Sequence, residues 1–180
     1  MHTLFLELIM RVVISSLLAV LSAGCPLNGG DPTDSGLSWF QAESVFPENF
    51  EDSYLRIDDC KTSSHGGMSV ITWLNEIGQP TWESYRTALA GGDVLPDDER
   101  ITFAPGTVIV KAQYSDANCL ELGLFTAMKK LESGSAPDQH DWTWQKMTPT
   151  TFETGSPAGC VGCHEPWQQT DYVATVPGAD

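Results

Sequence analysis

The feature that most constrains this 180-residue chain is Cys160-Val161-Gly162-Cys163-His164, a C-x-x-C-H motif close to its C-terminus. Two thiols at this spacing can each add to a vinyl group of one porphyrin, and the histidine that follows can supply a nitrogen ligand to the iron. The motif therefore predicts one covalently attached c-type haem. Cys160 and Cys163 would bind the porphyrin, and His164 would be the metal ligand.

A bare C-x-x-C could instead be a dithiol redox pair or half of a zinc site. A zinc site requires a second pair of ligands, and the sequence contains no other C-x-x-C and no H-x-x-x-H. A thioredoxin-like pair is expected near the start of a βαβ unit, whereas this pair lies at the far end of the chain. Haem attachment is therefore the favoured interpretation.

The position of the motif also argues against two common haem folds. Small electron-transfer cytochromes carry it near the N-terminus and a methionine ligand much later, but no Met or His follows His164. Four-helix cytochromes place the motif last, but residues 120–128 alternate with a period of two, as a strand does. We therefore expect an α+β fold, mainly an antiparallel β-sheet flanked by a few helices. A sixth iron ligand would come from upstream, or the iron keeps an open face.

Hydrophobic periodicity and turn residues give the expected elements. Residues 46–50 are expected to lead into a short helix. Strands are expected at 68–74, 107–114, 120–131 and 141–147, a helix at 81–90, a loop at 155–159, and a short helix or turn at 160–167.

The N-terminus predicts export. Residues 12–20 form an uncharged, mostly apolar run behind Arg11, which is too short to span a bilayer and ends in small residues before Cys25. These small residues resemble a bacterial lipobox, with Ser22 in place of the usual leucine. Met10 followed by Arg11 would also be an ordinary signal start, in which case residues 1–9 derive from an upstream start codon.

We therefore expect a periplasmic protein that is anchored to a bacterial membrane by lipid on Cys25. The alternative is an ordinary cleaved signal that leaves Cys25 unmodified. The expected organisation is a signal peptide at 1–24, a lipidated cysteine and flexible tether at 25–37, and a haem domain at 38–180.

Two cysteines remain once lipid and haem are assigned. An oxidising compartment favours pairing Cys60 with Cys119 as a disulfide. Two separate buried thiols are the alternative. The net charge of −15 repels phosphate backbones, so nucleic acid is not an expected partner. The chain has no second apolar run of transmembrane length, which leaves the lipid as its only expected membrane attachment.

The chain resembles the cytochrome P-460 family, which includes the cytochrome c-prime-beta proteins. The resemblance covers most of residues 46–175. It rests on Phe46-Pro47-Glu48-Asn49-Phe50, Pro105-Gly106-Thr107-Val108-Ile109-Val110-Lys111, the tryptophan strand, and the C-terminal motif followed by Asp171-Tyr172-Val173. It implies an antiparallel sheet flanked by helices and a homodimer. In P-460 members a lysine, here Lys111, bonds to a meso carbon of the haem. Those enzymes oxidise hydroxylamine, with nitrous oxide as a product.

Periodicity alone favours a solvent-exposed position for Lys111. Its strand alternates Ile109, Lys111 and Gln113 on one face with Val108 and Val110 on the other. If the first face looks toward water, Lys111 is an ordinary surface lysine; if it looks toward haem, the amine is aimed at the porphyrin. The family resemblance favours the haem. A buried amine is readily neutral, as a nucleophile must be.

The resemblance departs from the P-460 pattern on the distal side of the haem. P-460 enzymes use a glutamate base on the strand after the lysine strand, where this chain has Phe125. Phe125 resembles the apolar capping residue of the c-prime-beta proteins, which bind nitric oxide at a five-coordinate iron. Glu121 shares its parity and is the carboxylate that would reach the pocket; the alternative is a residue at the rim. His65 is another candidate base or sixth ligand, and a structural or surface role is its alternative.

Three functions follow as expectations: an oxidoreductase acting on hydroxylamine, a nitric oxide or small-gas binder, and an electron carrier. A redox partner cytochrome is expected in the first and third cases.

Overall fold

The fold is seen in a computed structural model, which describes residues 43–63, 67–89, 95, 99–157 and 159–174. The predicted signal peptide, Cys25, the tether and His65 lie outside these residues. Within them the architecture is α+β, dominated by one antiparallel sheet. The strands are β1 (Leu55–Arg56), β2 (Lys61–Thr62), β3 (Ser69–Leu74), β4 (Val108–Tyr114), β5 (Leu122–Lys130), β6 (Trp142–Met147) and β7 (Phe152–Gly155).

The helices of the described residues are short. The α-helices are α1 (Gln79–Leu89) and α2 (Cys160–His164), and 3₁₀ turns lie at Phe50–Asp52, Glu76–Gly78, Pro137–Gln139 and Glu165–Thr170. Neither α-helix has the length and apolar character that crossing a bilayer requires.

From β3 to β7 the sheet is a meander in which strands that are consecutive in sequence are neighbours in space. The order is β1-β3-β4-β5-β6-β7, with β2 also paired to β3, and every pair is antiparallel. The predicted strands at 68–74, 107–114, 120–131 and 141–147 are confirmed to within two residues at each end. The sequence did not predict β1, β2 or β7, because they are too short to show a period of two.

The central strands bury residues on both faces of the sheet. The face that carries Ile109 and Met128 is called the first face, and the face that carries Val110 and Phe125 is called the second face. On the second face, Phe46 and the residues of the expected 46–50 segment pack over Phe125, so that this segment covers the sheet as it enters its 3₁₀ turn.

Helix α1 covers part of the first face. Its residues Trp82, Tyr85 and Leu89 are buried against Ile109 and Met128. The spacing of three and four residues places the three side chains on one side of the helix, which is why this short segment is amphipathic. The predicted helix at 81–90 is confirmed, and it begins two residues earlier than expected.

The predicted disulfide is present. Cys60 follows β1 and Cys119 precedes β5, and their Cα atoms lie 5.9 Å apart across the bond. The bridge joins two loops at the same end of the sheet, because β3, β4 and β5 are consecutive antiparallel neighbours. It therefore closes a long stretch of chain that includes β3, α1 and β4.

We expect Cys60→Ser to lower the free energy of unfolding by about 4 kcal/mol, because the bridge closes a loop with a sequence separation of 59 residues. Urea unfolding monitored by tryptophan fluorescence would measure the loss. Reductant should destabilise the wild type by a similar amount and leave the variant unchanged. An equal effect of reductant on both proteins would show that the disulfide does not stabilise the fold.

Candidate functional site

A cavity of about 440 Å³ lies between the first face of the sheet and helix α2. Its volume falls in the range of small-molecule and cofactor sites. Three strands and the helix contribute its wall. The wall includes Ile109, Lys111 and Gln113 of β4, Leu124, Thr126 and Met128 of β5, Trp144 and Lys146 of β6, and Cys160, Cys163 and His164 of α2.

Lys111 lines this cavity. It pairs with Thr72 of β3 on one side and Thr126 of β5 on the other, near the centre of the sheet. Burial lowers the pKa of Lys111 to about 8, although the nearby carboxylate of Asp58 acts in the opposite direction. A substantial fraction of the amine is therefore neutral, and so nucleophilic, in mildly alkaline solution.

His164 ends helix α2, and its ring is nearly buried at 8% exposure. Its Nδ1 lies 2.6 Å from the carbonyl oxygen of Tyr172. Because a carbonyl oxygen can only accept, Nδ1 must carry the proton and donate. The neutral ring then has its lone pair on Nε2, which is the state that a metal-ligating histidine adopts.

Burial also keeps the His164 ring uncharged. Desolvation lowers the pKa of His164 below its usual value, and the Tyr172 hydrogen bond opposes this shift only in part. The indole of Trp144 packs edge-on against the imidazole, with 4.7 Å between ring centroids. The imidazole is thus held from two sides and is ready to act as a neutral ligand.

The two cysteines of the motif lie one helical turn apart and both line the cavity. They are not joined to each other; Cys160 is partly buried, whereas Cys163 is exposed. Burial raises the pKa of Cys160, and the charge of Lys146 partly offsets that effect. The structure therefore brings together four of the predicted site residues: Cys160, Cys163, His164 and Lys111.

Phe125 and Glu121 are not brought to this cavity. Phe125 lies on the second face, where its ring packs 5.7 Å from Phe50. The reason is the register: Thr126, not Phe125, pairs with Lys111, so alternate residues of β5 turn away. Glu121 is exposed just before β5 begins, and it accepts a hydrogen bond from the hydroxyl of Ser115 at 2.9 Å.

Two further polar residues of the site were not predicted from the sequence. Gln113 and Thr126 line the cavity, and the Gln113 amide donates to the Thr126 hydroxyl at 3.0 Å. Gln113 lies two residues after Lys111 on the same strand, and Thr126 is the residue that pairs with Lys111 on β5, so strand periodicity and register would have found both. No sequence pattern would have predicted Asp58, since it belongs to the irregular segment between β1 and β2.

Asp58 is a buried carboxylate close to Lys111. Its side chain is 4% exposed, and Oδ1 pairs with Nζ of Lys61 at 2.9 Å. Its Oδ2 and the hydroxyl of Thr72 are buried without a hydrogen-bond partner among the described residues. Of the described residues that line the cavity itself, none is a carboxylate. Asp58 is therefore the acidic group whose charge most affects the pKa of the Lys111 amine.

The residues present fit a haem. Within the described ranges no group of three or more His, Cys, Asp or Glu residues could hold a metal ion, but a porphyrin supplies four nitrogens itself and needs only one protein ligand here. His164 offers that ligand, and two cysteines stand beside it. The buried Nε1 of Trp144 has no acceptor within the described part of the chain, as expected where a bound group completes the site.

The chain was also compared with known proteins. No model of a known protein family matches it, and a search of curated proteins returned no match.

We expect Asp58→Asn to lower the pKa of Lys111 below about 8, because the substitution removes the anion that favours the ammonium form. An NMR titration of the lysine Nζ signals in haem-free protein would measure the shift. Asp59→Asn is the matched control, since the neighbouring side chain is 99% exposed and ion-paired only to Arg56. If the pKa of Lys111 were unchanged or raised in Asp58→Asn, Asp58 would not be the anion that stabilises the Lys111 ammonium.

Proposed function

We propose that this protein is an exported c-type haem protein of the cytochrome P-460 kind, which oxidises hydroxylamine to nitrous oxide or nitric oxide. The observation that carries the proposal is that Lys111 and the C-x-x-C-H residues line one cavity. These groups are separated by about 50 residues of sequence and come from different elements. Together they are the groups that a lysine-linked c-type haem requires.

In this proposal each residue has a separate role. The Sγ atoms of Cys160 and Cys163 would add to the vinyl groups of the porphyrin as thioethers, and Nε2 of His164 would be the iron ligand. The Lys111 amine would bond to the porphyrin edge, a step that releases two protons and two electrons and therefore requires a porphyrin that has first been oxidised. The haem, when bound, supplies the iron that takes electrons from a small nitrogen compound. The electrons would pass to a redox partner cytochrome.

The wall of the cavity suits a small substrate. Ile109, Leu124 and Met128 make one part of it apolar, and Gln113 and Thr126 supply a hydrogen-bonding pair beside Lys111. Oxidation of hydroxylamine releases protons, so the reaction needs a nearby acceptor. With Glu121 on the surface, Asp58 is the buried carboxylate near Lys111 that could take this part.

A second candidate function is capture of nitric oxide or another small gas without turnover. It is favoured by the absence of carboxylates among the described residues that line the cavity. Phe125 does not cap the site in this case, because Leu124 and Met128 are the apolar residues of β5 that lie on the first face. A third candidate, an electron carrier, would require a sixth iron ligand, which the thioether of Met128 on the described wall could supply.

The location and assembly of the protein are part of the proposal. We place it in the periplasm, anchored through lipid on Cys25, with a homodimer as the family resemblance implies. Mass spectrometry of the mature N-terminus would test the lipid, independently of the haem.

The absorption spectrum of protein produced in a host that matures c-type cytochromes separates the three functions. We expect a ferrous band far to the red of ordinary c haem, caused by the lysine bond. Lys111→Ala should return this band to an ordinary high-spin c spectrum and abolish hydroxylamine oxidation. Lys129→Ala is the matched control, because Lys129 lies outside the cavity wall on the neighbouring strand.

Other outcomes would decide against the enzyme. An ordinary high-spin spectrum in the wild type, unchanged by Lys111→Ala, would favour the gas binder. Sharp low-spin bands would indicate the electron carrier. Protein without colour or iron would overturn the haem assignment itself.

A further inference from the structure

The turn that follows the C-terminal 3₁₀ segment has an unusual backbone. Asp171 and Tyr172 both have left-handed conformations, with φ of 52° and 66°. Non-glycine residues rarely adopt this region, and they do so where the surroundings hold them there. This turn presents the Tyr172 carbonyl to Nδ1 of His164 at 2.6 Å.

The Asp171 side chain attaches the turn to the sheet. Its Oδ1 accepts from Nζ of Lys130 at 2.7 Å, and its Oδ2 accepts from the Phe103 backbone at 2.9 Å. Both partners of the ion pair are about nine-tenths buried. The Asp171 carbonyl accepts from the Trp142 indole at 3.0 Å. Three separate parts of the fold therefore bind one residue.

The turn is also held from its other side. The Tyr172 ring stacks on His140, with 3.6 Å between centroids and 5° between planes. Nε2 of His140 lies 2.7 Å from a carboxylate oxygen of Glu165, the residue directly after His164. Lys130 also donates to the His140 carbonyl at 3.1 Å. Lys130, the turn and His140 therefore form a closed ring of contacts. Glu165 connects this ring to the end of α2.

We propose that Asp171 is a positioning residue for the iron ligand, acting through the Tyr172 carbonyl to fix the orientation and the Nδ1–H form of His164. The proposal rests on the proposed function, because it assumes that His164 meets iron. Asp171 touches neither the cavity nor the reacting groups; it sets the place of the carbonyl that does touch the histidine. A buried ion pair is suited to this, since breaking it leaves an uncompensated charge.

The consequence is electronic as well as geometric. A firm hydrogen bond from Nδ1 makes Nε2 a stronger donor to the metal, which stabilises ferric over ferrous iron. Weakening that bond should raise the reduction potential and lower the frequency of the iron–histidine stretch. If Asp171 had only a structural role, its substitution would change the stability of the fold but would leave the reduction potential and the iron–histidine stretch unchanged.

The experiment uses haem-loaded full-length protein and the variant Asp171→Asn. Asparagine tolerates the left-handed backbone. Its side chain has only one acceptor oxygen, so it cannot accept hydrogen bonds from both Lys130 and the Phe103 backbone. We expect a higher reduction potential in a spectroelectrochemical titration and a lower iron–histidine stretch by resonance Raman. Asp138→Asn is the matched control, because Asp138 is exposed and the substitution removes the same charge from another turn. This control should leave the frequency of the iron–histidine stretch unchanged.

A second variant covers the case in which Asp171→Asn does not fold. His140→Asn keeps a residue tolerant of its own φ of 58° but removes the ring stacked on Tyr172. It should shift both quantities in the same direction by a smaller amount. Values equal to those of the wild type in the variants that fold would overturn the inference while leaving the haem assignment intact. Wild-type protein without haem would instead overturn the proposed function, and this inference with it.

Discussion

Antiparallel pairing among β4, β5 and β6 determines the chemistry of the site, because it decides which side chains share a face. Lys111 pairs with Thr126, and Thr126 pairs with Lys146, so all three point toward the cavity. Their sequence neighbours Val110 and Phe125 point into the opposite core. A slip of one residue would exchange the two sets. The large apolar residues buried on each face make such a slip costly, since every one of them would be moved to the wrong side.

The C-terminal segment depends on a different kind of contact. Helix α2 is short, and its helical hydrogen bonds alone would not hold it in place. Its position comes from the turn after it, which the buried pair of Lys130 and Asp171 attaches to the end of β5. Buried ion pairs contribute little net stability but are specific in geometry. The same pair therefore links the sheet that carries Lys111 to the segment that carries His164.

The cavity combines features of two related activities. A buried amine with a lowered pKa, beside two cysteines and a neutral histidine, suits a haem that is joined to lysine. The apolar wall and the lack of a lining carboxylate among the described residues suit gas binding. The lack of a lining carboxylate does not by itself exclude the enzyme, because Asp58 places a buried negative charge close to Lys111. Asp58 does not belong to the described wall of the cavity, which distinguishes it from a base that contacts the substrate directly.

The sequence by itself determined the C-x-x-C-H motif, the long strands, helix α1 and the pairing of Cys60 with Cys119, because these depend on local periodicity, spacing and redox chemistry. It could not determine β1, β2 or β7, which are too short to carry a pattern. Only the tertiary structure decided that Lys111 faces the cavity while Phe125 and Glu121 do not. The physical reason is that the relative register of two strands is set by packing on both faces of the sheet. For the same reason, the contacts of Asp171 and Asp58 with distant residues leave no local signal in the chain.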